Sequence, residues 1–453
     1  MDDRHLLQTA AGYAAEYLET LPSRSVVPTQ AALDGLRAID RPLPEKPADP
    51  LAVLTELHRV ASPATTASAG GRYFGFVIGG TLPVTLAANW LASAWDQDAN
   101  LVVLGPGVAA FEQVAMRWLL EALHLPPDCA AGFVTGATMA NFTGLAAARH
   151  ALLGRAGWDV EADGLFGAPP LTVVVGDEVH ISVVKALGLV GLGRNRVVRV
   201  PTDAQGRMRA ERLPPLDGRT IVCVQVGNVN TGACDPVRDI CRIAHAAGAW
   251  VHVDGAFGLW AAAAPSRAPL VDGVAEADSW ALDAHKWLNV PYDSGVALVR
   301  DAAALRGAMS TPAPYLVHGA AREPCDYTPE LSRRARGIEI WAALASLGRS
   351  GLVDLVERCC RHATRFAEGL RAAGYEILNV VTLNQVLVSF GDDATTRRVI
   401  AALQADGTCW CGGTVWHDRA AMRISVSSWA TTDEDVERSL AAMIRIARLH
   451  RTP

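Results

Sequence analysis

The chain has 453 residues, half of them apolar and 19% charged, with 41 basic against 47 acidic side chains and a formal charge of −6. That balance supports a large buried core, excludes disorder as the main state and argues against a nucleic-acid footprint. No apolar run approaches the roughly 18 residues of a spanning helix, and the polar start Met1-Asp2-Asp3-Arg4-His5 lacks a signal-peptide layout, so a cytoplasmic protein of two or three packed units is expected.

Helical spacing over His5–Leu18 and Gln30–Ile39 ends in the Pro-rich run Arg41–Pro50, which reads as a stiff extended connector. Helical patterns over Pro83–Trp95, Val108–His124, Ala140–Leu153, Ile181–Leu189 and Pro236–Ala247 follow. They alternate with short β-rich runs at Leu171–Val175, Arg196–Val200, Thr220–Val226, Trp250–Asp254 and Gly295–Val299. Apolar strands separated by helices predict a mostly parallel α/β sheet covered on both faces. From Ser332 onward the texture changes. Two long helical patterns, Ser332–Leu347 and Leu352–Ala373, lead into strands near Gln385–Phe390 and Ala421–Val426 that alternate with helices Thr395–Ala405 and Asp433–Ile446. The expected division is an N-terminal helical segment 1–75, a large α/β domain 76–330 and a small α+β domain 331–453.

Only three of the basic residues are lysine: Lys46, Lys185 and Lys286. Chemistry that needs a lysine nucleophile therefore has almost nowhere else to reside. The nine cysteines contain no C-x-x-C pair and no second pair at zinc-site spacing, so reduced structural thiols are expected and no metal site.

In an open parallel sheet, ligands bind beyond the carboxyl ends of the strands, and four polar features fall there. Trp250-Val-His-Val-Asp254 ends an apolar run in a carboxylate, where a cap or turn role is the plain alternative. Leu282-Asp-Ala-His-Lys-Trp287 places Lys286 between a histidine and a tryptophan, where partial desolvation would leave a free amine able to form a Schiff base. Gly132-Phe-Val-Thr-Gly-Ala-Thr-Met-Ala-Asn141 opens a helix with small residues, and free N–H groups there seat a phosphate. Val173-Val-Val-Gly-Asp-Glu-Val-His180 sets a histidine just past another strand. A phosphate cradle, a ring partner, an acid and a lysine are what pyridoxal 5′-phosphate (PLP) requires.

In these segments the chain resembles the group II, aromatic-L-amino-acid decarboxylase-like family of fold-type-I PLP enzymes. The resemblance runs from about Arg72-Tyr-Phe-Gly-Phe76 to the C-terminus and includes Ser332-Arg-Arg-Ala-Arg336; His285-Lys-Trp287 is its most specific part. It implies a mostly parallel seven-stranded sheet sandwiched by helices, and decarboxylation of an L-amino acid to the amine and CO₂. By the same resemblance, Lys286 holds the cofactor as a Schiff base and Asp254 pairs with the pyridine nitrogen. Ala256 packs under the ring, His180 stacks on its other face, and Ala137, Thr138 and His285 hold the phosphate. Asn228 lies near the cofactor hydroxyl or substrate carboxylate, and Ser332 reaches the phosphate from a partner subunit, since family sites lie at a homodimer interface. Tyr327, in Pro324-Cys-Asp-Tyr-Thr-Pro-Glu330, matches the loop tyrosine that reprotonates Cα. The chain departs from the family at Ala137 and Met139, which replace a glycine and a glutamate, and at Asp283, which replaces an asparagine.

The substrate is read as aromatic or bulky and apolar from the cluster Tyr73, Phe74, Phe76 and Trp90. Arg423 is the residue to watch for a bidentate grip on an in-plane carboxylate, the arrangement that serves transamination instead. Aldehyde formation is the other alternative on the same cofactor. Leu101-Val-Val-Leu-Gly-Pro-Gly-Val-Ala-Ala110 spells a dinucleotide-like G-x-G-x-x-A, but Pro106 removes an amide and no strand ending in an acid follows.

Overall fold

A computed structural model describes residues 2–311 and 322–450 of the chain. The first helices, α1 (Asp3–Thr20), α2 (Gln30–Gly35) and α3 (Pro50–Ala61), are capped by Asp2, Thr29 and Asp49, each accepting a backbone N–H. Neither α1 nor α2 contains a buried residue, and α3 has only Val60. Two helices that do pack follow, α4 (Pro83–Trp95) and α5 (Pro106–Ala122), each with proline in its first turn.

The central unit then alternates as expected: β1 (Ala130–Val134), α6 (Ala137–Arg155), α7 (Val160–Asp163), β2 (Thr172–Gly176), α8 (Ile181–Leu189), β3 (Val198–Val200), β4 (Thr220–Gln225), α9 (Val237–Ala246), β5 (Trp250–Asp254), β6 (Ser279–Asp283), β7 (Gly295–Val299) and α10 (Ala302–Met309). These strands form one seven-stranded sheet in the order β1-β7-β6-β5-β4-β2-β3. Only β7 runs against its neighbours; the pairings among β6, β5, β4, β2 and β3 are parallel. The dinucleotide-like stretch opens α5, which no strand precedes, so that reading fails on context.

Alternation along each strand sends side chains to two different cores. Trp250 and Cys223 face one cluster, which contains side chains of α6, α8 and α10. Val251, Val253, Val222 and Val224 face another, continuous with the core of the C-terminal unit. That unit holds α11 (Gly337–Ala372), β8 (Glu376–Ile377), β9 (Gln385–Ser389), α12 (Asp393–Asp406), β10 (Gly412–Trp416), β11 (Arg419–Ser425) and α13 (Asp433–Leu449). Its four strands are antiparallel, in the order β10-β11-β9-β8. The two helices expected from residue 332 onward both form within this stretch, the first starting at Gly337 and the two separated at Gly348, whose φ of 57° lies in the left-handed region glycine favours.

Asn289 ties the units together behind the lysine. Fully buried, it donates to the carbonyls of Trp287 and Ser427, accepts from the Trp429 N–H, and its own carbonyl accepts from Leu82. No helix among the described residues is long and apolar enough to cross a membrane.

Candidate active site

The site lies at the C-terminal edge of the large sheet, where β5 and β6 deliver Asp254 and Asp283 and short turns follow each. Asp254 is 4% exposed yet fully committed. Its Oδ1 accepts the Ala256 N–H at 3.2 Å, and its Oδ2 accepts the Ser182 hydroxyl at 3.2 Å and the Asn141 side-chain amide at 3.4 Å. Ser182 also lies 2.7 Å from His180 Nδ1, so the histidine before α8 is bridged to the carboxylate after β5. Burial lowers the His180 pKa and the Asp254 charge raises it, the first effect being larger; Lys286 and Arg423 lower it further. His180 is therefore neutral near pH 7, within electrostatic reach of Asp254, Lys286, Asp283 and Arg423.

Of the three lysines, Lys46 and Lys185 are exposed, whereas Lys286 is 16% exposed with its Nζ 2.9 Å from Asp283 Oδ2. The other Asp283 oxygen accepts the Ala137 N–H at 2.5 Å and lies 3.3 Å from His285 Nε2. His285 Nδ1 accepts the Ser294 N–H at 3.1 Å, and its ring stacks on Tyr292 at 4.3 Å. Its pKa is lowered, chiefly by burial. Asp283 thus ties the lysine to the first amide of α6.

Close backbone approach shapes the cradle. A Cβ on Gly295 would lie 2.4 Å from Gly136 Cα, and one on Gly136 would lie 3.0 Å from His285 Cε1. A Cβ on Gly79 would fall 1.7 Å from the Lys286 carbonyl oxygen. Only glycine lets the end of β1, the start of β7 and the segment at Gly79 converge here.

Thr138 is half-buried in the first turn of α6 with its N–H free of any intrahelical partner. Ala256 forms the turn beside Asp254 and accepts the Asp283 N–H at 2.9 Å. Asn228 is buried next to the strand that carries Asp254, but its Oδ1 is used by the turn, accepting the N–H groups of Asn230 and Thr231. Ser332 is exposed beside the end of α4, away from Lys286 within the chain.

Tyr327 lies within an apolar setting of its own chain. Its ring packs into the cluster with Leu145, Val183 and Leu305 and carries the Arg322 guanidinium on its face at 4.1 Å. The short segment Pro324–Tyr327 is pressed onto β1, where a Cβ on Gly132 would meet the Tyr327 carbonyl, so packing fixes the residue. The aromatic cluster also divides. Phe74 is core, edge-on to Phe366, and Trp90 is exposed on α4. Tyr73 and Phe76 instead stack on Trp410, at 5.0 and 5.4 Å, with Gly75 leaving room for its indole.

Sequence reasoning passed over Ser182 and the structural use of Asn141 and Asp283, because their roles depend on neighbours more than 30 residues away. The residues present suit PLP: an anchored acid, a paired lysine, a neutral histidine and a glycine-cleared helix start converge on one sheet edge.

This fold and site define a fold-type-I PLP enzyme. The family model "Pyridoxal-dependent decarboxylase conserved domain" matches residues 33–391, and the chain belongs to that family. It is 25% identical to the aromatic-L-amino-acid decarboxylase of Bacillus atrophaeus, over 98% of this chain and 95% of that protein. It is 28% identical to the L-2,4-diaminobutyrate decarboxylase of Rhizobium meliloti (strain 1021), over 80% and 75%. The crystal structure of Oryza sativa TDC with PLP and tryptamine superposes with a TM-score of 0.90 at 24% identity, covering 98% and 97% of the two chains. The chain is a PLP-dependent carboxy-lyase of the amino-acid decarboxylase type.

Proposed function

We propose that this chain removes the α-carboxylate of an aromatic or bulky apolar L-amino acid, using PLP held covalently on Lys286. The observation that carries the reading is the pairing of the one half-buried lysine with Asp283 at the sheet edge where Asp254 is anchored by three donors. When bound, PLP supplies an electron sink for the pair released at Cα.

The chain's own residues do the rest. Asp254, anchored by its three donors, would pair with the pyridine nitrogen. Thr138 and the free amides of the α6 start, with neutral His285, would hold the phosphate, Ala137, whose own N–H goes to Asp283, would line the seat, and Ala256 and His180 would enclose the ring. Asp283 orients the Lys286 amine. Arg423 is half-buried with its pKa lowered by burial, lies within electrostatic reach of His180 and has no carboxylate partner among the described residues. The Tyr73–Trp410–Phe76 stack walls the substrate side chain, which fits the aromatic-amino-acid relative better than the diaminobutyrate one.

The reading extends to a homodimer in the cytoplasm, organised as segments 1–75, 76–330 and 331–453. It is supported by Val84, Trp90, Leu91 and Trp95, which leave α4 with an uncovered apolar side, and by exposed Ser332 next to it. Arg423 also favours a second reading, transamination with the carboxylate held in plane. A screen of L-amino acids for CO₂ against keto-acid release decides between them. CO₂ with amine from an aromatic substrate supports the proposal, and keto acid without CO₂ overturns it.

A further inference from the structure

Asp254 is the visible end of a longer arrangement. The β5 side chains Trp250, His252 and Asp254 alternate onto one face of the sheet and span about 13 Å along it. His252 is completely buried, a costly place for an imidazole unless both ring nitrogens are used. Both are: Nδ1 lies 2.8 Å from Ser279 Oγ and Nε2 lies 2.8 Å from Asn141 Oδ1.

The direction of every bond follows from the chemistry of the groups. The Trp250 indole can only donate, and it donates to Ser279 Oγ at 2.9 Å. The Ser279 proton is then free to go to His252 Nδ1, which places the imidazole hydrogen on Nε2. That hydrogen is given to Asn141 Oδ1, so the Asn141 amide nitrogen faces Asp254 Oδ2 at 3.4 Å and Ser182 Oγ at 3.2 Å. The reverse amide orientation would set an oxygen against the carboxylate. All these groups are buried and the chain has one polarity, ending at the acid.

The backbone makes room for it. Gly144 lies inside α6, where glycine costs about 1 kcal/mol relative to alanine. A Cβ there would lie 2.8 Å from His252 Cε1 and 2.9 Å from Nδ1. The helix thus carries a weak residue at the point where it crosses this imidazole.

We infer that His252 is a positioning residue: through Asn141 it fixes Asp254 as an oriented carboxylate that grips the cofactor's ring nitrogen. The inference rests on the PLP reading, which the same experiment tests separately. Cofactor dissociation constants are measured for the wild type, His252→Leu, His252→Gln and Gly144→Ala, using PLP and an analogue with carbon in place of the ring nitrogen. His252→Leu should weaken PLP binding at least about tenfold, since charge-assisted hydrogen bonds are the strong ones, and leave analogue binding unchanged. His252→Gln, whose amide can donate where Nε2–H did, should stay within about threefold of wild type. Gly144→Ala should reproduce the PLP-specific loss in part, whether or not His252→Leu folds. Equal losses for PLP and the analogue would make the role purely structural and overturn the inference; so would unchanged PLP binding in both variants. A wild-type chain that binds no PLP removes the cofactor reading and the inference with it.

Discussion

Along β5 from Trp250 to Asp254 every side chain is buried, whereas α1 and α2 bury none. In the strand, apolar residues face one core while the polar ones on the other face are linked by hydrogen bonds that end at Asp254. In the N-terminal helices, order within the chain rests on caps and a few surface contacts such as the Arg41–Glu56 pair. Exposed pairs of that kind contribute little. The contrast teaches that the strand closes its hydrogen bonds within the chain, whereas the N-terminal helices leave nearly all their side chains at the surface.

The sharpest way to break this comparison is at the lysine. Lys286→Ala should abolish amine formation, a loss of at least about a thousandfold in kcat as for other covalent nucleophiles; CO₂ release close to wild type would place the chemistry elsewhere. Asp254→Ala should cost roughly a hundredfold, the scale of losing one preorganised electrostatic contact, with reduced PLP affinity. Removing residues 2–64 probes the other region. If these helices take part in the proposed homodimer, the truncated chain should sediment as monomer and lose activity, while a fully active dimer would show that they do not.

The buried histidine gives a finer test by pH. Burial lowers the His252 pKa to about 4 from 6.5, so between those values the unfolded chain binds a proton that the folded chain refuses. Stability is therefore lost as pH falls through that window, by an amount of order 3 kcal/mol at its acid end. Asp235, raised to about 6 by burial, has the opposite sign, because there the folded state binds the extra proton. The difference between wild type and His252→Gln in chemical denaturation isolates the histidine and should narrow as pH drops from 6.5 to 4. The smallest effect belongs to Tyr327→Phe. With its ring packed in an apolar cluster beneath Arg322, amine output should change by less than about twofold. A large loss would return it to the site.

Much of this was legible in the sequence, for reasons the contrast makes clear. Trp250–Asp254 and Gly295–Val299 were readable to the residue because buried strands leave an apolar run with sharp ends. Lys286 stood out because the chain has so few lysines. Illegible were β1 and β10, whose alanines and glycines carry weak strand propensity, and the commitments of Asn141, Ser182 and Asp283, which exist only once distant segments meet. The packing of Tyr327 was illegible too, because a position before the C-terminal unit says nothing about which way the segment folds. It folds down onto β1.

One measurement bears on the central claim more directly than any other. The holoenzyme is reduced with borohydride, digested and mapped by mass. The account predicts the pyridoxyl phosphate adduct on the peptide containing Lys286 and on neither Lys46 nor Lys185; an adduct on either of those, or none after incubation with PLP, would contradict it.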